Sequence, residues 1–122
     1  MKKITTINAP KAIGPYNQGI ISGNLVFCSG QIPINPETGM IDASIEKQVE
    51  QCCKNVQAIL LAAGSSLDKV IKTTCFIADM DNFPTFNEIY SKYFISNPAR
   101  SCCAVKTLPK NVLCEIEAIA EI

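Results

Sequence analysis

The sequence predicts an α+β domain in which two helices lie on one face of a mixed β-sheet. Three features predict this fold: two segments with helical spacing of their apolar residues, several segments that read as strands, and a last strand with one apolar face. Each strand–helix–strand passage implies a crossover connection. The 122 residues fit a single domain over positions 1–122.

The first part of the chain is predicted to form strands at Ile4–Ile7, Gly19–Ser22 and Leu25–Ser29. Gly23-Asn24, between the second and third strands, predicts a tight hairpin turn. The stretch 32–39 that follows contains two prolines, an asparagine and a glycine, which predict a loop.

The clearest element is a helix from about Ser44 to Ala63. Asp42 or Ser44 can cap its start, and Gly64 can end it in a left-handed turn. Steps of three and four residues place its apolar side chains on one face: Ile45, Val49, Cys52, Cys53, Val56, Ile59, Leu60 and Ala63. We therefore expect this helix to pack on the core.

A second helix is predicted from Asn82 to Phe94. Asn82 is suited to cap it, and Pro84 falls where the first turn tolerates proline. Asn87 interrupts the apolar stripe of this helix. The stripe consists of Phe83, Phe86, Ile89, Tyr90, Tyr93 and Phe94.

The remaining strands are predicted at Val70–Ala78, Ser101–Thr107 and Val112–Ile122. The turn Leu108–Asn111 is expected to join the last two strands as a hairpin, which would bring Arg100 close to Ile119. Glu115 would then lie about 13 Å further along the strand. A site that spans two subunits would be a natural way to bring these two residues together.

The last strand carries an apolar set of side chains on one face and a mixed set on the other. The mixed set is Leu113, Glu115, Glu117, Ile119 and Glu121. This pattern fits a sheet that helices cover on one side. The other side would then be polar or would form an interface.

The composition excludes several classes of function. The chain has 11 Lys plus Arg, 11 Asp plus Glu and no His. A net charge of zero disfavours a sequence-independent nucleic-acid binder, and no apolar run approaches the roughly 20 residues that a membrane helix needs. The absence of histidine removes Ser-His-Asp and Cys-His catalysis and any His-ligated metal site.

The seven cysteines predict a reducing compartment. Their number is odd and the N-terminus shows no signal-peptide pattern, so a cytosolic protein is the expectation. No Cys-x-x-Cys is present, which disfavours a zinc site. We expect most of these thiols, including Cys103 and Cys114, to act as small buried hydrophobes.

Two charged residues are candidates for chemistry. Glu115 could hold a water molecule, although two strand carboxylates such as Glu115 and Glu117 are also typical of a solvated face. Arg100 is the only arginine, and its place at a strand entrance suits the bidentate binding of a carboxylate. The alternative for Arg100 is a surface ion pair.

Two glycine-containing segments are further candidates. The segment 14–19 is a glycine-flanked aromatic turn, and Ser29-Gly30-Gln31 could offer backbone N–H groups to an anion or a carbonyl oxygen. Neither matches a phosphate-binding loop. Each of them alone is as typical of an ordinary turn.

Five blocks of the sequence occur together in a familiar order. They are Ala12-Ile13-Gly14-Pro15-Tyr16-x-Gln18-Gly19, Ser29-Gly30-Gln31-Ile32-Pro33, Pro98-Ala99-Arg100-Ser101, Leu108-Pro109-Lys110 and Glu115-Ile116-Glu117-Ala118. In these blocks the chain resembles the RidA/YjgF family of reactive intermediate deaminases over essentially its whole length. The resemblance implies a chorismate-mutase-like fold and a homotrimer with three clefts between subunits.

The resemblance also implies an activity: hydrolysis of enamines and imines such as 2-aminoacrylate, 2-iminopropanoate and 2-iminobutanoate, which pyridoxal-phosphate dehydratases release, to 2-keto acids and ammonia. Arg100 would grip the carboxylate of the substrate and Glu115 would position or activate water, with no cofactor and no metal. The residues that would line the cleft are Tyr16, Ser29, Gly30, Asn87 and Cys102. The chain departs from the family pattern in a short segment between Phe94 and Pro98, where Asn97 replaces an aromatic or aliphatic residue.

Two other functions stay open at this point. One is a trimeric metabolite-binding protein without turnover, against which the joint presence of Arg100 and Glu115 speaks. The other is a ribonuclease or translation inhibitor, which a chain without a basic stripe, histidine or metal site supports little.

Overall fold

The computed structural model describes all 122 residues and contains a six-stranded sheet with two α-helices on one face. The elements are β1 (Lys2–Ile4), β2 (Gly19–Ser22), β3 (Leu25–Gln31), α1 (Ile45–Ala62), β4 (Val70–Ile77), α2 (Phe83–Tyr93), β5 (Ala99–Ala104) and β6 (Cys114–Glu121). The strand order is β1-β2-β3-β6-β4-β5, and only the β4–β5 pair is parallel. The predicted mixed α+β architecture is confirmed.

Helix α1 follows its predicted bounds closely. The Ser44 hydroxyl caps it by accepting from the Lys47 amide at 3.2 Å, and Asp42 in turn accepts from the Ser44 amide at 2.9 Å. Gly64, just beyond the end, has a φ of +82°, a conformation that glycine adopts without strain. Neither helix is long and apolar enough to cross a membrane.

The core lies between the two helices and the sheet. Val49, Val56 and Ile59 of α1 are fully buried against the inward-facing residues of β6, and Phe86 of α2 closes the same core. The opposite side of the sheet carries no helix, and we call it the open face. Glu115, Glu117, Ile119 and Glu121 of β6 point to the open face.

The cysteines divide between the core and the surface. Five of the seven are buried and all seven are unpaired, as expected for small core hydrophobes; the buried ones are Cys28, Cys52, Cys53, Cys75 and Cys114. The expectation is wrong for Cys103, which is exposed on the open face of β5. Its neighbour Cys102 is partly buried and packs against the core.

The first strand lies earlier in the chain than predicted, over Lys2–Ile4 instead of Ile4–Ile7. Strand β1 ends at Ile4, and the prediction of a strand up to Ile7 is wrong. The reason is the buried Gln18 side chain, whose Oε1 accepts from the Thr6 amide at 2.7 Å while its Nε2 donates to the carbonyls of Thr6 and Pro10. A side chain thus satisfies the backbone where a strand partner would otherwise be needed.

The start of the second helix also differs from the prediction. Asn82 makes no capping hydrogen bond, so its predicted role is wrong. A short 3₁₀ turn over Met80–Asn82 precedes α2, and Asp79 caps that turn by accepting from the Asp81 amide at 2.8 Å. Pro84 lies in the first turn of α2 as predicted.

The predicted hairpin of the last two strands is wrong, because β4 lies between β5 and β6. The connecting residues 105–113 flank the end of β4: the Val105 amide donates to the Ile77 carbonyl and the Ala78 amide donates to the Leu113 carbonyl, each at 3.0 Å. Leu108 is buried with Val112 and Ile32 in a small separate cluster. That burial holds the connection in its path across the sheet end.

Candidate active site

The Arg100 side chain lies against one face of helix α2. Its Nη1 donates a hydrogen bond of 2.8 Å to Asn87 Oδ1. Its guanidinium carbon lies 4.9 Å from the ring centroid of Tyr90 and 5.4 Å from that of Phe83. Arg100 forms no ion pair, so the predicted alternative of a surface ion pair is wrong. Its other N–H groups are available to a ligand.

A surface cavity of about 430 Å³ opens beside this guanidinium. Its lining residues are Asn87, Tyr90, Ser91, Asn97, Pro98 and Arg100. Five of the six lining residues have polar side chains, and Arg100 carries the only charge among them. An anion-bearing small molecule is therefore the ligand that this cavity suits.

Asn97 shapes one wall of the cavity. Its φ of +49° lies in the left-handed region, which asparagine tolerates better than branched residues do. It thus forms a tight turn between α2 and β5. The departure from the family pattern that the sequence indicated falls directly on the wall of the Arg100 cavity.

Cys102 lies two residues beyond Arg100 and on the same side of β5. Burial raises the pKa of its thiol, and the nearby Arg100 charge opposes that shift. The thiol is therefore mostly protonated near neutral pH. This placement fits a wall residue better than a nucleophile.

A second group of candidate residues surrounds Glu115 on the open face. The β3–β6 register passes from Cys28↔Ala118 to Gln31↔Ile116, so Ser29 and Gly30 together oppose one residue of β6. This β-bulge turns Gly30 toward the Glu115 side chain. A Cβ atom on Gly30 would lie 2.2 Å from Glu115 Oε2, so only glycine fits there with the carboxylate in its present position.

The Glu115 carboxyl is half-buried. Burial raises its pKa above the ordinary value, and the neighbouring Glu117 charge adds to the effect. No side chain or backbone donor in the structure bonds to it. Its proton-binding range therefore moves toward neutral pH, as a proton carrier requires.

Tyr16 and Ser29 complete the second group. The Ser29 hydroxyl donates to the Asn17 carbonyl at 2.6 Å and so ties the loop that carries Tyr16 to strand β3. The Tyr16 hydroxyl accepts from the Ile13 amide at 3.3 Å, and the residue is 45% exposed. Tyr16 and Gly30 also line one small crevice. The loop thus presents an exposed aromatic ring close to Gly30.

The structure divides the predicted site residues into two groups that do not meet within one chain. Arg100, Asn87 and Cys102 lie on the helix side at the β5 edge of the sheet. Glu115 lies on the open face, with Gly30 against it. The two groups are separated by the sheet itself.

Register gives the lateral separation of the two groups. Arg100 pairs with Thr73, which pairs with Ala118 of β6. Glu115 therefore lies two strand spacings across the sheet and three residues along it, about 10 Å in each direction. No group of three Asp, Glu or Cys side chains is arranged to hold a metal ion.

Two residues near Arg100 were not among the predicted site residues. Tyr90 and Phe83 were assigned only to the apolar stripe of the second helix. The signal that could have found them is the spacing 83, 87, 90, which places both rings beside Asn87 on one helix face. The apolar stripe of α2 thus contacts both the core and the Arg100 side chain.

Known proteins that are similar to this chain identify its family. Residues 6–122 match the family model described as endoribonuclease L-PSP, which covers the YjgF/RidA proteins. The chain belongs to the YjgF/RidA family. The resemblance that the five sequence blocks indicated is thereby confirmed.

Members of the YjgF/RidA family resemble this chain over nearly its whole length. A Lactococcus lactis protein provisionally named as a regulator, AldR, is 56% identical over 100% of this chain and 98% of its own. The 2-iminobutanoate/2-iminopropanoate deaminase of Escherichia coli is 49% identical over 98% of this chain and 96% of its own. A crystal structure of E. coli TdcF with bound serine is 48% identical, covers 100% of this chain and 99% of its own, and has a TM-score of 0.97.

Proposed function

We propose that this protein is a deaminase that hydrolyses reactive 2-imino acids and their enamine tautomers to 2-keto acids and ammonia. The observation that carries the proposal is the geometry of Arg100, which Asn87 holds in place with free donors beside an open cavity. Relatives support it: one at 49% identity is named 2-iminobutanoate/2-iminopropanoate deaminase, and one at 50% is named for reactive intermediate deamination.

In this reaction Arg100 binds the substrate carboxylate. A guanidinium presents two parallel N–H groups that match the two oxygens of a carboxylate. The relative whose structure contains serine holds a ligand with such a carboxylate. Fixing that end of the substrate orients the C=N bond, and the entropy of orientation is a large part of the barrier to such a hydrolysis.

Glu115 handles the water and the proton. Water adds to the imine carbon and gives a carbinolamine, and this collapses to the ketone as ammonia leaves. Glu115 accepts a proton from the attacking water and gives it to the imine nitrogen; it then takes the hydroxyl proton of the carbinolamine and gives it to the amino group, which leaves as ammonia. The raised pKa of Glu115 suits both halves of this exchange near neutral pH. Tyr16 and Gly30 border the space in which the reacting carbon would lie.

We further propose that the working site forms between copies of the chain in a homotrimer. Arg100 and Glu115 lie on opposite sides of one sheet, so a single copy offers only half of the site to any one substrate. A neighbouring copy can supply the other half. The seven unpaired cysteines are typical of a reducing compartment, so we expect this assembly in the cytosol.

The test is a coupled assay. A threonine or serine dehydratase generates the imino acid, semicarbazide traps what is not consumed, and 2-keto acid release is followed with and without this protein. Wild type should accelerate release, Arg100→Ala should abolish the acceleration with the oligomer intact, and Lys92→Ala, which removes an exposed cation from α2, should leave it unchanged. Glu115→Gln should bind ligand but turn over slowly. Full activity in Arg100→Ala would disprove the carboxylate role.

A second candidate is a metabolite-binding regulator without turnover, which the name of the 56% identical relative favours. Arg100-dependent binding of a 2-keto acid without acceleration of its release would support that function. Cleavage of RNA has less support, because the net charge is zero and the chain lacks histidine. Salt-dependent affinity for RNA would be the result in its favour.

A further inference from the structure

We infer that Tyr90 is a positioning residue for Arg100: it holds the guanidinium so that its free N–H groups face the cavity. This inference rests on the proposed function, in which Arg100 binds a carboxylate. An arginine side chain samples many rotamers when nothing restrains it. Bidentate binding requires one of them, so restraint before the ligand arrives favours binding.

Three residues of α2 restrain Arg100 from one helix face. Asn87 accepts its hydrogen bond at 2.8 Å, and the rings of Tyr90 and Phe83 lie 4.9 and 5.4 Å from the guanidinium carbon. A cation over an aromatic face is attracted by the ring quadrupole. Asn87 fixes one nitrogen by a hydrogen bond, while the Tyr90 ring, the nearer of the two rings, attracts the guanidinium group as a whole.

Tyr90 is itself the most firmly held of these three residues. It is 7% exposed, and its ring stacks on Phe94 with centroids 4.4 Å apart and on Phe86 at 5.8 Å. Its hydroxyl forms a hydrogen bond of 2.6 Å with the hydroxyl of Thr73, which is fully buried. A buried tyrosine hydroxyl needs such a partner, and the partner in turn sets the tilt of the ring.

Thr73, the hydrogen-bond partner of Tyr90, also lies next to Arg100 in the sheet. Thr73 lies on β4 directly beside Arg100 in the parallel β4–β5 register. Strand β4 therefore pairs with the backbone of Arg100 and also holds the Tyr90 ring that lies against the Arg100 side chain. Helix α2 and the sheet edge are joined at this point by a contact that passes through the Tyr90 hydroxyl, which explains a tyrosine rather than a phenylalanine here.

The test compares ligands that differ only in the charge that Arg100 recognises. The dissociation constants of 2-ketobutyrate and of its neutral amide, 2-ketobutanamide, are measured for wild type, Tyr90→Leu, Tyr90→Phe and Thr73→Val. Tyr93→Leu is the matched control, because Tyr93 lies on the same helix beside Glu50 and Lys54 of α1. KM and kcat for the imino acid are measured in the coupled assay alongside.

Tyr90→Leu should weaken 2-ketobutyrate binding about tenfold and leave the amide unchanged. KM should rise by a similar factor. Tyr90→Phe and Thr73→Val should each weaken 2-ketobutyrate about threefold, and the double variant no more than either alone, because one hydrogen bond is lost in all three. Tyr93→Leu should keep the wild-type preference for the charged ligand.

Equal weakening of both ligands in Tyr90→Leu would overturn the inference, because it indicates a purely structural role. Unchanged binding of 2-ketobutyrate in this variant would overturn it as well. If Tyr90→Leu does not fold, Tyr90→Phe and Thr73→Val decide by the same criterion. A wild type that binds 2-ketobutyrate without accelerating imine hydrolysis would refute the proposed function alone. A wild type that binds neither ligand and does not accelerate imine hydrolysis would overturn both.

Discussion

At the scale of single residues, Gly30 decides where the Glu115 carboxylate can lie. A methyl group at position 30 would meet Glu115 Oε2 at 2.2 Å and Cδ at 3.0 Å. These atoms end a flexible side chain, so the carboxylate moves aside and the fold persists. Gly30→Ala should therefore lower kcat in the coupled assay about a hundredfold, within the usual range for loss of one proton-transfer group, while the circular dichroism spectrum and the oligomer stay unchanged.

A double variant separates this effect from damage to the bulge. In a Glu115→Ala background no carboxylate is present to be displaced, so adding Gly30→Ala should cost almost nothing further in kcat. A full additional loss in the double variant would mean that Gly30 acts through its own backbone. The same pair of measurements would show whether Ser29-Gly30 serves as an N–H donor to the substrate.

The sequence singled out candidate site residues but not the contacts that they make. Arg100 stood out because it is the only arginine, and Glu115 because it alternates with apolar residues in a strand. The contact of Asn87 with Arg100 and that of Ser29 with Asn17 could not be read from the chain. Such partnerships depend on where separate elements come together, and no local pattern encodes that.

At the scale of elements, the two helix starts differ in a way that can be measured. The Ser44 hydroxyl satisfies the Lys47 amide, whereas Asn82 satisfies none. Ser44→Ala should lower the free energy of unfolding by about 1 kcal/mol. Asn82→Ala should change it by only a few tenths, about the propensity difference. Urea denaturation of the two variants beside wild type measures both.

Equal losses in these two variants would contradict the assignment of the caps. Asp79→Ala offers a further comparison, since Asp79 accepts from the Asp81 amide and holds the 3₁₀ turn before α2. We expect it to behave like Ser44→Ala rather than like Asn82→Ala. The order of the three variants, not any single value, identifies which residue begins each helix.

Elements with a strong local period were predictable, as was the β2–β3 hairpin at Gly23-Asn24, but the pairing of the last two strands was not. Helix α1 appeared within one residue at each end, because apolar residues at steps of three and four and a serine cap define it locally. The β5–β6 hairpin was wrong because a proline-containing turn between two strands is typical of a hairpin. The burial of Leu108 and Val112, which carries the connection across the end of β4, is a long-range packing effect.

At the scale of the whole molecule, the sheet separates the two groups of candidate site residues. It keeps Arg100 with the helices and Glu115 on the open face, and register separates them by two strands. The open face also carries Phe27, 42% exposed, and Ile119 between its carboxylates. A surface of this kind suits contact between copies. The proposed chemistry and the proposed assembly therefore depend on one another.

Mixing two inactive variants tests that dependence directly. Suppose that each cleft takes Arg100 from one copy and Glu115 from the next around a closed ring. Arg100→Ala and Glu115→Ala are each inactive alone, but in an equal random mixture about one cleft in four receives both intact residues. Co-refolding of the two variants should therefore restore about a quarter of wild-type activity in the coupled assay, with subunit exchange followed by native mass spectrometry.

The control uses the same mixing procedure with two variants that cannot form a cleft with both residues intact. Arg100→Ala is mixed in the same way with the double variant Arg100→Ala/Glu115→Ala, in which no cleft can receive an arginine, and activity should stay at background. Recovery in the first mixture alone requires the two residues to act from different copies. Complete exchange with no recovery would mean that both act from the same copy, against the separation that the sheet imposes on them.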